Sequence, residues 1–450
     1  MANPRLLQWP AAPATPPAPA APTIPAARAP GWDLLLACCA VYIATAVGRV
    51  HELFPILLPL KPALLASAMA VGLYLLQQFG LRRVNRLRSA TTSCLLGLLA
   101  WSCLSIPWAL HPGVAFTYLT DNFVKTVVMC LVLAGSIRSV RDIERLALVY
   151  FAVTVVYTAV VLSRFQLGAD SWRLGRLYNY DANDFATLIA TAMPLGLYFV
   201  LAHRRIVLRG AAAAGLAILA VGLIRSGSRG GFLALLAVTA FVLLGFTTIP
   251  ARARLAGLVV ILAVAYGASS DQYWTQMQTL VHPKEDYNLT SDAGRMKIWE
   301  RGLDYMAGHP ILGVGLANFP VAEGTISPLV RLQERGVGVR WGAAHNSFIQ
   351  AGAELGAPGL LLFIGVIATA LRSLRRITRP PPRASPTPVE VSRLAQGLMA
   401  ALVGFTVGSF FLSLAYADML YVLAALTIGL VKCAPRNATR TAPFPRRLPA

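Results

Sequence analysis

Ser291-Asp292-Ala293-Gly294-Arg295-Met296-Lys297-Ile298-Trp299-Glu300-Arg301-Gly302-Leu303-Asp304-Tyr305-Met306-Ala307-Gly308-His309-Pro310 lies within the longest polar stretch of the chain, about Ala268 to Ser347, which apolar runs bound on both sides. Ser291 or Asp292 is a fair helix N-cap. Met296, Trp299, Leu303 and Met306 recur at helical spacing and make one apolar face. Lys297 and Arg301 read as the solvated face. Gly308 and Pro310 stop the helix. A glycine-rich turn follows, Ile311-Leu312-Gly313-Val314-Gly315-Leu316-Ala317-Asn318-Phe319, and the stretch closes at His345-Asn346-Ser347. The rest of the chain reads as a membrane scaffold holding this segment.

Of the 450 residues, 56% are hydrophobic and 13% charged, and the mean hydropathy is +0.60. A soluble domain carries about 25% charge. Apolar runs near the ~20 residues that a bilayer requires fall at 33–48, 62–79, 92–110, 119–136, 144–162, 184–202, 210–224, 230–247, 254–269, 346–370, 395–414 and 416–432. Helices satisfy their own backbone in lipid. The expected fold is therefore an all-α polytopic membrane protein of about twelve transmembrane helices, with one large outer loop that itself contains helices. Residues 1–30 are an Ala/Pro tract without the apolar core of a signal peptide and read as a disordered tail. Residues 31–433 read as a transmembrane catalytic domain in which 268–347 is the large loop, and 434–450 as a second tail. The six cysteines show no disulfide or metal-ligand spacing.

A net charge of +21 invites a nucleic-acid reading. The basic residues, however, sit in short loops beside apolar runs, where membrane orientation explains them. Arg82, Arg83, Arg86 and Arg88, then Arg138, Arg141 and Arg145, then Arg204, Arg205 and Arg209, then Arg252 and Arg254, and finally Arg372, Arg375, Arg376 and Arg379 all fall on one side if both termini are cytoplasmic. The alternate loops hold most of the acids. This topology puts 268–347 outside, together with 163–183 and 225–229.

Arginines on the outer side go against that bias, so each asks for a reason. Arg225 and Arg229 flank Ser226-Gly227-Ser228, with Gly230-Gly231 after them. They are either interfacial arginines reaching headgroups or a phosphate grip, since a guanidinium binds phosphate bidentately and glycines let backbone approach closely. Arg295 stands in the first turn of the outer helix, where the dipole disfavours a cation. Its plain reading is an ion pair with Asp292 or Glu300. His345 stands where the loop re-enters the membrane, followed by Asn346. It is either an interfacial histidine or a general base. His309 reads as structural. The 163–183 loop carries Arg164, Arg173 and Arg176 with Trp172, Tyr178 and Tyr180, a combination suited to sugar rings and charge but also to an interfacial belt. Asp121 and Lys125 are one turn apart and read as a pair. No acidic pair or His/Cys/Glu cluster points to a metal.

Ser228-Arg229-Gly230, the Gly294-Arg295 to Trp299 helix with His309-Pro310-Ile311-Leu312-Gly313-Val314-Gly315 and Asn318-Phe319, and His345-Asn346-Ser347 together resemble the O-antigen ligase/polymerase superfamily of bacterial membrane glycosyltransferases. The resemblance covers roughly residues 160–430 and looks closest to the ligases. It implies a GT-C-like enzyme of the bacterial inner membrane acting at its periplasmic face. Such an enzyme moves a glycan from undecaprenyl diphosphate to the lipid A-core oligosaccharide in lipopolysaccharide biosynthesis, without a cofactor. By the family pattern Arg229, Arg295 and His345 are the catalytic residues, with Arg225, Arg173, Arg176 and Asn346 expected at the substrate. Partners would be the undecaprenyl-diphosphate-linked glycan, the lipid A-core acceptor and membrane lipids. A metal-independent, inverting displacement agrees with this set, since arginines can stabilise a diphosphate leaving group. The competing readings are an O-antigen polymerase or a protein O-oligosaccharyltransferase of the same superfamily, and, from another class, a transporter or flippase. A transporter would keep ionisable residues at the midplane.

Overall fold

Asp33, Ser89, Asp181, Ser228, Ser270 and Asn346 each accept a backbone N–H from the first turn of a helix, at 2.7–3.3 Å. Those caps mark where apolar runs begin to wind. The computed structural model describes residues 31–80, 87–164, 172–174, 180–282, 294–331, 335, 341–379 and 387–434. The tail expectations for 1–30 and 435–450 lie outside them. Trp32 onward forms one unit, and its regular elements, among the described residues, are helical.

In chain order they are α1 (Leu34–Tyr42, continued by a π-turn Ile43–Val47), α2 (Val50–Leu53), α3 (Pro62–Gly80), α4 (Ala90–Ser105), α5 (Pro112–Tyr118), α6 (Val124–Ser136), α7 (Val140–Arg164), α8 (Ala182–Ala202), α9 (Ile206–Ser226), α10 (Arg229–Gly245), α11 (Ala251–Ala268), α12 (Asp271–Gln278), α13 (Arg295–Gly308), α14 (Phe319–Thr325), α15 (Ser347–Thr378), α16 (Val389–Ser409) and α17 (Asp418–Cys433). A π-turn, Leu119–Phe123, joins α5 to α6. Among the described residues, eight helical segments are long and apolar enough to cross a membrane, and Leu34–Val47, Pro62–Gln78 and Arg229–Gly245 are shorter apolar helices.

α8 and α16 form the centre, with 78% and 72% of their apolar windows buried, whereas none of the α11 window is buried. Small residues allow the central helices to close up, as is usual in membranes. A Cβ on Gly231 of α10 would lie 2.4 Å from Ala186 of α8, and one on Gly408 of α16 would lie 2.6 Å from Thr187. α15 breaks at Gly356, whose φ is 67°. The glycine-rich turn docks on this break by backbone hydrogen bonds: Val314 N donates to Ala353 O at 2.8 Å, Gly315 N to Glu354 O at 2.9 Å and Ala357 N to Pro310 O at 2.9 Å. The polar segment is thereby stitched to a membrane helix.

α13 differs from expectation in two respects. Its N-cap is Gly294, and the expected caps Ser291 and Asp292 lie outside the described residues. Its buried face is Ile298, Arg301, Gly302 and Tyr305, while Met296 and Leu303 are exposed. The physical reason is an ion pair. Arg301, expected on the solvated face, donates Nε and Nη2 to the buried Glu323 carboxylate of α14 at 2.8 and 2.6 Å. Tyr305 Oη donates to the same carboxylate at 2.7 Å. These bonds to Glu323 raise the pKa of Arg301, and burial raises that of Tyr305. The pairing turns α13 so that the face opposite Met296 meets Phe319 and Ile349.

Candidate active site

α9 ends at Gly227, whose φ of 59° favours glycine. A Cβ there would also stand 2.9 Å from the Trp172 ring and 3.0 Å from Arg173 Cγ. This lets the 172–174 segment lie across the α9–α10 corner, where Leu174 N donates to Arg225 O at 2.8 Å. Arg173 is held flat against the corner. Its Nε donates to Ser226 O at 2.8 Å and its Nη2 to Asn183 Oδ1 at 3.3 Å. Ser228 caps α10, making Arg229 the first residue of that helix. Arg229 Nη1 donates to Thr279 Oγ1 at 2.7 Å. Gln276 of α12 donates Nε2 to Gly227 O at 3.2 Å.

Arg295 is the first residue of α13 and comes to the same place. Arg173, Asn183, Arg229, Gly230, Gln276 and Arg295 line one cavity of about 90 Å³. Three guanidinium groups and two carboxamides thus face a small space, with no carboxylate among the described residues that line it. The first turns of α8, α10 and α13 all reach it, and helix N-termini favour anions. Buried Tyr273, one turn before Gln276, has its hydroxyl pushed up to about 12 by burial, so it stays protonated beside the cavity.

His345 is outside that lining. It sits at φ 49°, and its backbone N donates to Ser413 Oγ at 2.9 Å. Asn346, expected at the substrate, is 1% exposed and caps α15, accepting from Phe348 N and Ile349 N at 2.9 and 3.1 Å. Ser347 Oγ donates to Leu412 O and accepts from Leu414 N. The 410–414 turn therefore holds the start of α15. The same turn backs the arginine cavity. Phe411 Cβ would lie 3.1 Å from a Cβ on Gly230, and Trp299 stacks edge-on with Phe410 at 5.4 Å. One turn thus ties the arginine cavity to His345.

The structure brings together Arg173, Arg229 and Arg295. Arg225, half-buried, contributes its carbonyl to the corner, and its side chain is off the lining. Arg176 lies outside the described residues. Glu300, one of the two partners considered for Arg295, pairs with Lys297 at 2.8 Å; Asp292, the other, lies outside the described residues. Asp121 and Lys125 pair with each other at 3.6 Å on the surface. His309 is the C-cap of α13, in keeping with a structural role. Asn183, Gln276 and Thr279 were not singled out from sequence, since nothing distinguishes them from other polar surface residues until α8 and α12 are packed. Among the described residues no three His, Cys, Asp or Glu side chains gather as a metal site.

Residues 214–364, from mid-α9 through the first part of α15, match the family model described as O-antigen ligase. This match supports membership of the O-antigen ligase/polymerase superfamily. O-antigen ligase family members are membrane glycosyltransferase-like enzymes acting on lipid-linked glycans. The matched stretch contains Arg225, Arg229, Arg295, His345 and Asn346. It leaves out Arg173 and Asn183, although both line the same cavity as Arg229. No curated protein matches the chain.

Proposed function

We propose that the chain is an O-antigen ligase of the bacterial inner membrane. It transfers a polymerised glycan from undecaprenyl diphosphate to the lipid A-core oligosaccharide at the periplasmic face, with inversion and without a metal. In this reading twelve helices span the membrane, both termini are cytoplasmic and 268–347 is periplasmic. The observation that carries it is the cavity where Arg173, Arg229 and Arg295 come together. Such a set suits a diphosphate, whose negative charge grows as it leaves. Preorganised cations then favour the transition state.

The acceptor hydroxyl oxygen attacks the anomeric carbon from the side opposite the diphosphate. The bond from that carbon to the diphosphate oxygen breaks, and its electron pair leaves with undecaprenyl diphosphate. His345 takes the hydroxyl proton. Arg229 and Arg295 hold the diphosphate, and Arg173, fixed by Ser226 O and Asn183, completes the set.

The test is a deletion strain compared with one restored by the wild-type chain. Loss of long-chain lipopolysaccharide with polymerised glycan accumulating on undecaprenyl diphosphate supports ligation. Accumulation of single repeat units would make the protein a polymerase instead. Purified protein should transfer glycan in EDTA. Activity lost in chelator and restored by a divalent ion would refute the arginine-only reading.

A further inference from the structure

Trp172 and Tyr180, two of the aromatic residues that the sequence offers for sugar rings, are packed inside the protein. Trp172 lies against Gly227 and packs with Ile224 and Tyr273. Tyr180 is buried and donates its hydroxyl to Val47 O at 2.9 Å. The Trp341 indole does the opposite. A Cβ on Gly324 of α14 would lie 2.0 Å from Trp341 Cε2, 2.4 Å from Nε1 and 2.5 Å from Cδ2. Those three atoms surround the ring fusion, so Gly324 meets a face of the indole and not its edge. The residue is nonetheless 51% exposed. One face therefore rests on bare backbone, and the other looks into solvent.

The indole has a rigid mount. Gly324 follows Glu323, whose carboxylate is gripped by Arg301 and Tyr305 of α13, and Ser327 Oγ donates to Glu323 O at 2.6 Å. Between Trp341 and His345 lies Ala344, which is buried in one cluster with Ile298 and Tyr305 of α13 and Phe319 and Ala322 of α14. His345 is fixed in turn by its backbone N on Ser413. The indole and the histidine thus stand on one packed base, joined by a stretch of chain that spans at most ~14 Å. A tryptophan of an interfacial belt sits at the lipid-facing end of a spanning segment, whereas Trp341 rests on a short helix of the polar segment.

We propose that the open face of Trp341 stacks on a sugar ring of the glycan acceptor and so delivers the acceptor hydroxyl to His345. The proposal rests on the functional reading above, in which His345 takes that proton. The C–H bonds on one side of a pyranose make a weakly positive, apolar patch, which suits the negative face of an indole. A surface that offers stacking without charge selects a neutral ring with an uninterrupted C–H side. Glycine at 324 is what lets the indole lie flat, because any side chain there would lift it.

The test uses the full chain in lipid nanodiscs, labelled with fluorotryptophan, with the Trp341 signal assigned by its loss in Trp341→Phe. In fluorine NMR, deacylated core oligosaccharide should shift that signal saturably, and undecaprenyl diphosphate should not. In transfer assays Trp341→Ala should raise the acceptor KM about tenfold and leave the donor KM unchanged, while Trp341→Tyr, which keeps a ring, should lose less. Gly324→Ala should repeat the acceptor defect. If either alanine variant fails to fold, the wild-type titration and Trp341→Tyr decide. A Trp341 signal that answers to lipid composition and not to oligosaccharide, or an unchanged acceptor KM in Trp341→Ala, overturns the proposal. The titration reads binding without transfer. A chain whose Trp341 answers to oligosaccharide but that transfers no glycan keeps this inference and loses the functional one, and a chain that transfers with an indifferent Trp341 does the reverse.

Discussion

Arg229 and Arg295 each open a helix, where the backbone already presents about half a positive charge. The helix dipole disfavours a cation there, and an incoming anion would offset that. If both grip a diphosphate, charge alone is not enough. Arg229→Lys and Arg295→Lys keep the charge but lose the planar fork, so both should lose donor affinity and rate together. Isothermal titration with donor and turnover assays check this, and a lysine variant with normal turnover would sink the assignment. His345 is separable. Its φ of 49° is a region that asparagine tolerates well, so His345→Asn leaves the backbone at ease. It should fold, bind donor normally and transfer about 10²–10⁴-fold more slowly, the usual effect of removing a general base. Donor binding lost as badly as in the arginine variants would make His345 a structural residue.

The arginines were legible because the proposed orientation disfavours them where they stand. Asn346 was legible only as a polar residue, and its capping role belongs to local backbone geometry. Asn183, Gln276 and Thr279 were not legible, because a carboxamide or hydroxyl acquires meaning only from what packs against it.

At the scale of elements, α13 shows where periodicity misleads. The spacing of Met296, Trp299, Leu303 and Met306 is a true helical repeat, and the helix exists. Its orientation is set instead by a charged residue buried with its partner, a pairing between residues 22 apart in sequence that no local pattern reveals. Arg301 and Glu323 are 8% and 1% exposed. Removing one member of such a pair strands the other, at a cost of about 3–5 kcal/mol. Glu323→Ala should therefore lower thermal stability strongly, and it should weaken donor binding because α13 carries Arg295. Glu323→Gln keeps the acceptor oxygen for Tyr305 and should be milder. Thermal unfolding of both variants checks the order. An unchanged melting temperature in Glu323→Ala would show that the pair does not fix α13.

For the whole molecule, the alternation of basic and acidic loops carried most of the reading. Helices occupy each of the apolar runs expected from the sequence, because hydropathy and the need for internal hydrogen bonding act on every residue in lipid. What the sequence hid was mutual arrangement: which helices are central, and that the 172–174 segment crosses the α9–α10 corner. The orientation is open to direct measurement. A reporter fused after Arg88 or Arg379 should read cytoplasmic, and one inserted near Glu285 periplasmic. The reverse result at either point would overturn the proposed topology and move the arginine cavity to the wrong face.

The described lining of the arginine cavity is cationic and amide in character, and that bears on the end of the catalytic cycle. Such a lining holds an anion and does not push it out. Spent carrier differs from loaded carrier by the missing sugar and by extra negative charge on its terminal phosphate, so the site should prefer it. Turnover would then be paced by product escape and not by bond making. Rapid-quench kinetics should show a burst of one glycan per enzyme followed by a slower steady rate, and added undecaprenyl diphosphate should inhibit competitively against the donor. Linear product formation from the first turnover would show that the carrier leaves freely.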